Sequence, residues 1–141
     1  MSTTEPIIEL TDAPTPELNA AITAVLTEYN KKVVPYDRRP LTIVVRDADG
    51  HVEGGIVGRT QWGWLLVEIF ALPEGRRGQG LGQRLLQVAE DGARRRGCHH
   101  AYLTTMSWQA KPFYEKLGYR EYGRLDNFPT GHCRHHMMKA L

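Results

Sequence analysis

The residues best suited to chemistry lie in one stretch, Glu68-Ile-Phe-Ala-Leu-Pro-Glu-Gly-Arg-Arg-Gly-Gln-Gly-Leu-Gly-Gln-Arg-Leu-Leu86. An apolar, strand-like run passes directly into glycines, and the glycines pass directly into a helical pattern. Glycine lets successive backbone N–H groups turn into one concavity. A helix N-terminus behind them adds about half a unit of positive charge. Such a cradle suits a phosphate or pyrophosphate, and Arg76 and Arg77 add charge-assisted donors beside it. Two other phosphate loops do not fit. A Walker loop places Lys-Ser/Thr after its last glycine; Gly75 and Gly80 have the spacing, but Leu81-Gly82 follow. The dinucleotide fingerprint would use Gly78 and Gly80 but needs a small residue where Gln83 stands. A merely tight strand-to-helix turn is the remaining alternative, and such turns seldom need three alternating glycines next to two arginines.

Arg77-Gly78-Gln79-Gly80-Leu81-Gly82 resembles the R/Q-x-x-G-x-G/A signature of the GNAT acyltransferases. The resemblance continues on both sides. Upstream, Phe70-Ala71-Leu72-Pro73 is similar to the splayed strand of that family. Downstream, Trp108-Gln-Ala-Lys-Pro-Phe-Tyr-Glu-Lys-Leu-Gly-Tyr119 is similar to its second signature. The two motifs stand in the family's order, roughly 25 residues apart, and the likeness covers roughly residues 64 to 125. It implies acetyl-CoA as co-substrate, with the pyrophosphate on the backbone amides of Arg77, Gly78, Gln79, Gly80, Leu81 and Gly82. It implies further that the backbone of Phe70, Ala71 and Leu72 pairs with pantetheine, and that Tyr114 covers the thiol. Where the family often places an asparagine that contacts pantetheine, this chain has Ser107, a cofactor-binding candidate whose shorter hydroxyl would make that contact directly or through a bridging water.

Amide formation from a thioester moves two protons: the attacking amine must lose one, and the departing thiolate is helped by gaining one. Tyr114 is the candidate acid, because a phenol with an ordinary pKa of about 10 is protonated at neutral pH. The spacing of Ala110, Phe113, Tyr114 and Leu117 also fits a plain core position. Glu68 is the candidate base, a carboxylate set among Leu65, Leu66, Val67 and Ile69; its alternative is a half-exposed carboxylate paired to an arginine. His132 follows a Pro-Thr-Gly turn into the last strand, a feature similar to one in small bacterial GNAT proteins, and the resemblance implies an acceptor-side role; its alternative is a surface turn histidine. Trp64, with Trp62, Tyr36 and Tyr122, is a candidate for the acceptor pocket, although aromatic residues in strands more often serve packing. In Cys133-Arg134-His135-His136, strand alternation puts Cys133 and His135 on one side and Arg134 and His136 on the other. That divides any ligand set, and no metal is expected.

These residues need elements to hold them. Thr15-Pro16-Glu17 opens a helix whose apolar stripe runs through Leu18, Ile22, Val25, Leu26 and Tyr29. Ile7–Leu10 reads as a short strand. Leu41–Arg46, His51–Thr60 and Trp62–Leu72 read as an antiparallel meander, with a tight turn at Gln61. A helix follows from about Gly80 to Arg96, with Leu81, Leu85, Leu86, Val88 and Ala89 inside and Gly97 as its stop. Then come a strand at His100–Thr105, a helix at Trp108–Leu117, and a closing strand pair at Tyr119–Leu125 and His135–Leu141. Meander plus strand–helix–strand crossover makes a mixed-sheet α/β (α+β) domain. The resemblance implies the GNAT type, a mostly antiparallel central sheet flanked by helices, with residues 1–141 as a single domain.

The 141 residues are 41% hydrophobic and 24% charged, which excludes disorder and fibrous repeats. With Lys and Arg totalling 18 against 16 Asp and Glu, no basic face marks a nucleic-acid module. Two cysteines make no disulfide framework. No apolar run approaches the roughly 20 residues of a membrane span, so a cytoplasmic enzyme without membrane contact is expected. The expected activity is N-acetylation of a small-molecule primary amine. A protein acceptor and a non-catalytic CoA sensor are the alternatives. Dimerisation is common in the resembled family, and no surface for it is specified.

Overall fold

The computed structural model describes residues 4–141, and the chain divides into two units, Met1–Tyr36 and Asp37–Leu141. In the first, helix α1 spans Pro16–Asn30. Thr15 caps it, its hydroxyl oxygen accepting the Leu18 N–H at 3.1 Å, and Pro16 stands where a helix has no use for an N–H. The expected strand at Ile7–Leu10 does not form. Ile7, Ile8 and Leu10 are exposed, and an apolar tetrapeptide without a ladder partner cannot satisfy an extended backbone.

In the second unit, one six-stranded sheet carries β1 (Arg39–Arg46), β2 (Val52–Gln61), β3 (Trp64–Ala71), β4 (His100–Met106), β5 (Arg120–Asp126) and β6 (Cys133–Ala140). The order is β1-β2-β3-β4-β6-β5. Only β3 and β4 run parallel, and the connection between them holds helix α2 (Leu81–Arg95), as a parallel crossover requires. Helix α3 (Lys111–Lys116) joins β4 to β5. The β2–β3 turn is made by Trp62 and Gly63, both at positive φ, rather than at Gln61; the Asp37 carboxylate accepts the Trp62 N–H at 3.0 Å. Helix α3 starts three residues later than its sequence pattern suggests. The backbone ahead of it is already engaged, Met106 N–H with Gln109 Oε1 at 2.7 Å and Ala110 N–H with Thr105 Oγ1 at 3.2 Å. Among the described residues, no helix is long and apolar enough to cross a membrane.

Helix α2 buries Leu85, Leu86, Ala89 and Ala93 against Leu41, Ile56, Leu65, Val67, Ala101, Leu103 and Met137. Val88, expected inside, is exposed, because that stripe turns away from it. The surprise on the stripe is Glu90, a buried carboxylate. Its two oxygens accept from the Tyr119 hydroxyl and from Lys139 Nζ, each at 2.8 Å, so α2, the segment entering β5 and β6 are tied at one point. Burial and the neighbouring Glu90 push the Tyr119 hydroxyl well above its ordinary pKa, fixing it as a donor. Removing the carboxylate leaves both donors without an acceptor. Glu90→Ala should therefore cost about 2–3 kcal/mol of stability, measured as the shift in a chemical denaturation midpoint. A change under about 0.5 kcal/mol, the range of ordinary surface substitutions, would mean that water replaces the carboxylate freely.

Candidate active site

The β2–β3 ladder breaks once. Val57 faces Ile69 and Gly58 faces Val67, so Glu68 has no partner and forms a bulge. One extra residue shifts the alternation. Leu65 and Val67 point into the core before it, whereas Phe70 and Leu72 pack against the core after it and Ile69 is left exposed. At the same place β3 parts from β4. Their parallel pairing ends at Val67 opposite Leu103, after which β3 follows β2 to Ala71 and β4 follows β6 to Met106. The result is a wedge in which one backbone edge of residues 68–71 and one of residues 104–106 lack a ladder partner.

A cleft of about 850 Å³ occupies this wedge. Glu68, Phe70, Leu72, Thr104, Thr105 and Tyr114 line it, and so do Arg77, Gly78, Gly80 and Gly82 of the glycine loop. After Pro73 the loop makes a short 3₁₀ turn, Glu74–Arg76, and then passes Gly78 and Gly80 at φ values of 77° and 74°. Side-chain-bearing residues rarely accept that backbone. Gly80 is the N-cap of α2, its carbonyl accepting the Arg84 N–H at 3.2 Å. The first N–H groups of α2 therefore have no acceptor within the helix, in a concavity that an anion fits. Of the two arginines expected there, Arg76 is committed to Glu53 by a two-pronged pair at 2.8 and 3.1 Å. Arg77 makes one weak contact, to the Leu72 carbonyl at 3.5 Å, and is the arginine left for an anion. Gly82 serves differently: its φ is ordinary, and a Cβ there would meet the Phe113 ring at 3.3 Å and the Phe70 ring at 3.6 Å. It lets α2 lie against those rings.

Tyr114 is buried, edge-on to Phe70 at 6.3 Å between ring centres and to Tyr119 at 5.9 Å. Among the described residues its hydroxyl has no hydrogen-bond partner. Burial pushes its pKa up to about 12, so at neutral pH it is a protonated donor. Glu68 is half-exposed and ion-paired through Oε1 to Arg59 on β2.

The remaining candidates fall elsewhere. Ala71, Gln79 and Leu81 belong to the strand, the loop and the start of α2 that bound the cleft, without lining it. Ser107 and His132 meet each other, Oγ to Nδ1 at 3.0 Å, and the Ser107 hydroxyl also accepts the Cys133 N–H at 3.3 Å. This pair stitches the end of β4 to the turn before β6, with His132 edge-on to Trp108 at 4.8 Å. Trp64 stacks on His100 at 4.5 Å and lines a separate hollow of about 430 Å³ with Arg59, Tyr102 and Tyr122. Cys133 and His135 share a side as alternation predicts, Sγ to Nε2 at 3.4 Å, with His135 Nδ1 at 2.7 Å from Glu121. Lys111 and His135 hold the Glu121 carboxyl below its ordinary pKa. Among the described residues, the group within metal-binding reach is Asp47, Asp49 and His51. There Asp47 Oδ1 already accepts the turn's own Asp49 and His51 N–H groups. Sequence reasoning missed Thr104 and Thr105, whose only signal was a strand directly ahead of the second motif, and Gln109, which stands inside that motif.

A wedge between parallel strands, a glycine-capped helix and a buried tyrosine beside them define the GNAT acetyltransferase fold, and the chain belongs to that family. The profile of the Acetyltransferase (GNAT) family matches residues 7–119. The acetyltransferase Atu2258 of Agrobacterium fabrum is 41% identical over 123 residues, 86% of this chain and 90% of that protein. Blasticidin-S acetyltransferase of Streptomyces morookaense is 38% identical over 109 residues, 74% of this chain and 80% of that one. A crystal structure from Agrobacterium tumefaciens, assigned as an acetyltransferase, superposes with a TM-score of 0.91 at 37% identity, covering 96% of this chain and all of the other. Members of the family use acetyl-CoA.

The two loop glycines should respond differently to substitution. Gly80→Val forces a β-branched residue into a left-handed backbone, so CoA affinity measured by calorimetry should fall about tenfold or more. Gly82→Leu must displace the Phe113 ring, and its main effect should be a lower melting temperature. Unchanged CoA affinity in a folded Gly80→Val protein would place the cradle elsewhere.

Proposed function

We propose that this chain transfers the acetyl group of acetyl-CoA to the primary amine of a small molecule by direct attack on the thioester, and that residues 1–141 act as one catalytic domain. The observation that carries the reading is the buried, unpartnered Tyr114 hydroxyl in a wedge whose two strand edges have free backbone groups. The likeness to blasticidin-S acetyltransferase supports a small acceptor.

Acetyl-CoA supplies an activated acyl group on a thiol leaving group. The N–H groups of Gly78 to Gly82, with Arg77, hold the pyrophosphate, and the open edges of residues 68–71 and 104–106 pair with the pantetheine amides. Ser107 and His132 act as one unit at the end of β4, with His132 toward the acceptor. As the amine nitrogen bonds to the carbonyl carbon and the C–S bond breaks, Tyr114 gives its proton to the sulfur. Glu68 takes the amine proton directly or through water, since Arg59 occupies Oε1 and leaves Oε2 free to accept.

A thiol-release assay with acetyl-CoA against amines, aminoglycosides, amino acids and peptides tests the reading: release should require a small amine. No amine-dependent release across the panel would overturn it. Tyr114→Phe keeps the ring volume, so turnover should fall roughly 10²-fold while stability changes within about 1 kcal/mol and calorimetric CoA binding holds. Turnover within a few-fold of the parent would make Tyr114 a packing residue. Because the phenol loses its proton only near 12, loss of this acid should not depress the rate as pH rises from 7 to about 10.

A further inference from the structure

Several arginines of the second unit are matched to carboxylates: Arg59 to Glu68, Arg76 to Glu53, Arg124 to Asp126. Arg134, half-buried on β6, is matched to none among the described residues. Its Nη2 donates to Thr104 Oγ1 at 2.9 Å, and its guanidinium lies over the Phe128 ring at 5.1 Å. Its Nε is buried with no hydrogen-bond partner. A partly desolvated cation with an orphaned donor is costly to maintain without a compensating anion.

Its position says which anion it would meet. The β4–β6 register pairs Thr104 with His136 and Met106 with Arg134, which puts Arg134 and Thr104 on one face of the sheet. The β3–β4 and β2–β3 registers put Leu66, Tyr102 and Arg59 on that same face, and Glu68 reaches Arg59 there. The face is the one turned away from Leu103, Met137 and α2. Thr104 lines the cleft, so Arg134 stands one side chain beyond the wedge, across the strand edge from the Glu68 carboxylate.

We propose that Arg134 recognises a carboxylate on the acceptor, so that the substrate class is an amine that also carries a carboxylate. The inference rests on the acetyl-transfer reading for the direction in which the amine points. Thr104 takes one hydrogen of Nη2, Nε is closed off by burial and Phe128 covers one flat side, so the donors left for a ligand are those of the Nη1–Nη2 end. A planar carboxylate matches that end with two parallel hydrogen bonds, which an ammonium or hydroxyl group cannot do. Glu68 on the same face offers the complementary charge to the amine, so an amino acid-like zwitterion is matched at both ends.

The test compares acids with their amides on the CoA-saturated protein by calorimetry, using glycine against glycinamide and tyrosine against tyrosinamide. The acid of a pair should bind about tenfold or more tightly, as one charge-assisted hydrogen-bonded pair provides. In R134Q that preference should shrink to within a few-fold, and R134K should restore it only in part. Where a pair is acetylated, R134Q should raise the KM of the acid and leave that of the amide. The parent protein showing no acid preference, or a preference that survives R134Q, would overturn the assignment; the first comparison needs no variant to fold. An acid preference without transfer to any amine would overturn the acetyl-transfer reading and leave the Arg134 site standing.

Discussion

The wedge between β3 and β4 depends on a single unpaired residue. With Glu68 inserted against β2, the side chains that follow change faces, and the strand bends away from β4 where the parallel pairing ends. Both consequences are needed together. The change of face brings Phe70 onto Phe113 and Tyr114, which builds the hydrophobic wall of the cleft. The bend opens the backbone edges beside it. A regular strand would have buried Ile69 in place of Phe70 and closed the sheet over the space that a substrate must enter. Unpaired backbone groups inside a sheet are unfavourable, so the wedge is a site that water or a ligand amide completes.

Charge in the second unit is divided between pairs that hold the scaffold and groups left open. Arg76 is held by Glu53, and Arg59 by Glu68, which aligns the loop and the bulge with β2. Lys139 and Tyr119 converge on buried Glu90, pinning α2 to the sheet one helical stretch beyond its N-terminus. That anchor keeps the first turn of α2 aimed at the cleft. Arg77 and the capping glycines are left unmatched beside it, and Arg134 is left unmatched on the opposite face.

Tyr114 shows how burial sets protonation. Aromatic neighbours remove its ring from water, and the lost solvation raises the cost of a phenolate. The same burial that makes it look like a core residue keeps its hydroxyl protonated, and among the described residues that hydroxyl has no hydrogen-bond partner at the margin of the cavity. Tyr119, just past the end of α3, is buried to a similar degree but spends its hydroxyl on Glu90. Two neighbouring tyrosines in similar surroundings are separated in role by what their oxygens meet.

The sequence alone determined the family, the glycine loop and the order of the strands and helices, because each is written in contiguous residues. Positive-φ glycines, a helix start and apolar periodicity are local signals, and Gly78, Gly80 and the Phe113-Tyr114 pair could be read directly from them. It did not determine whether Ile7–Leu10 would find a strand partner, or that Val88 would face out and Glu90 in, since those depend on which surface the chain meets. Nor could it show that Gly82 makes room for two rings, that Ser107 and His132 meet, that Trp64 belongs to another hollow, or that Arg134 meets no carboxylate among the described residues. Each of those facts joins residues far apart in the chain, and only the register of the paired strands, with its one extra residue at Glu68, decides which side chains share a face.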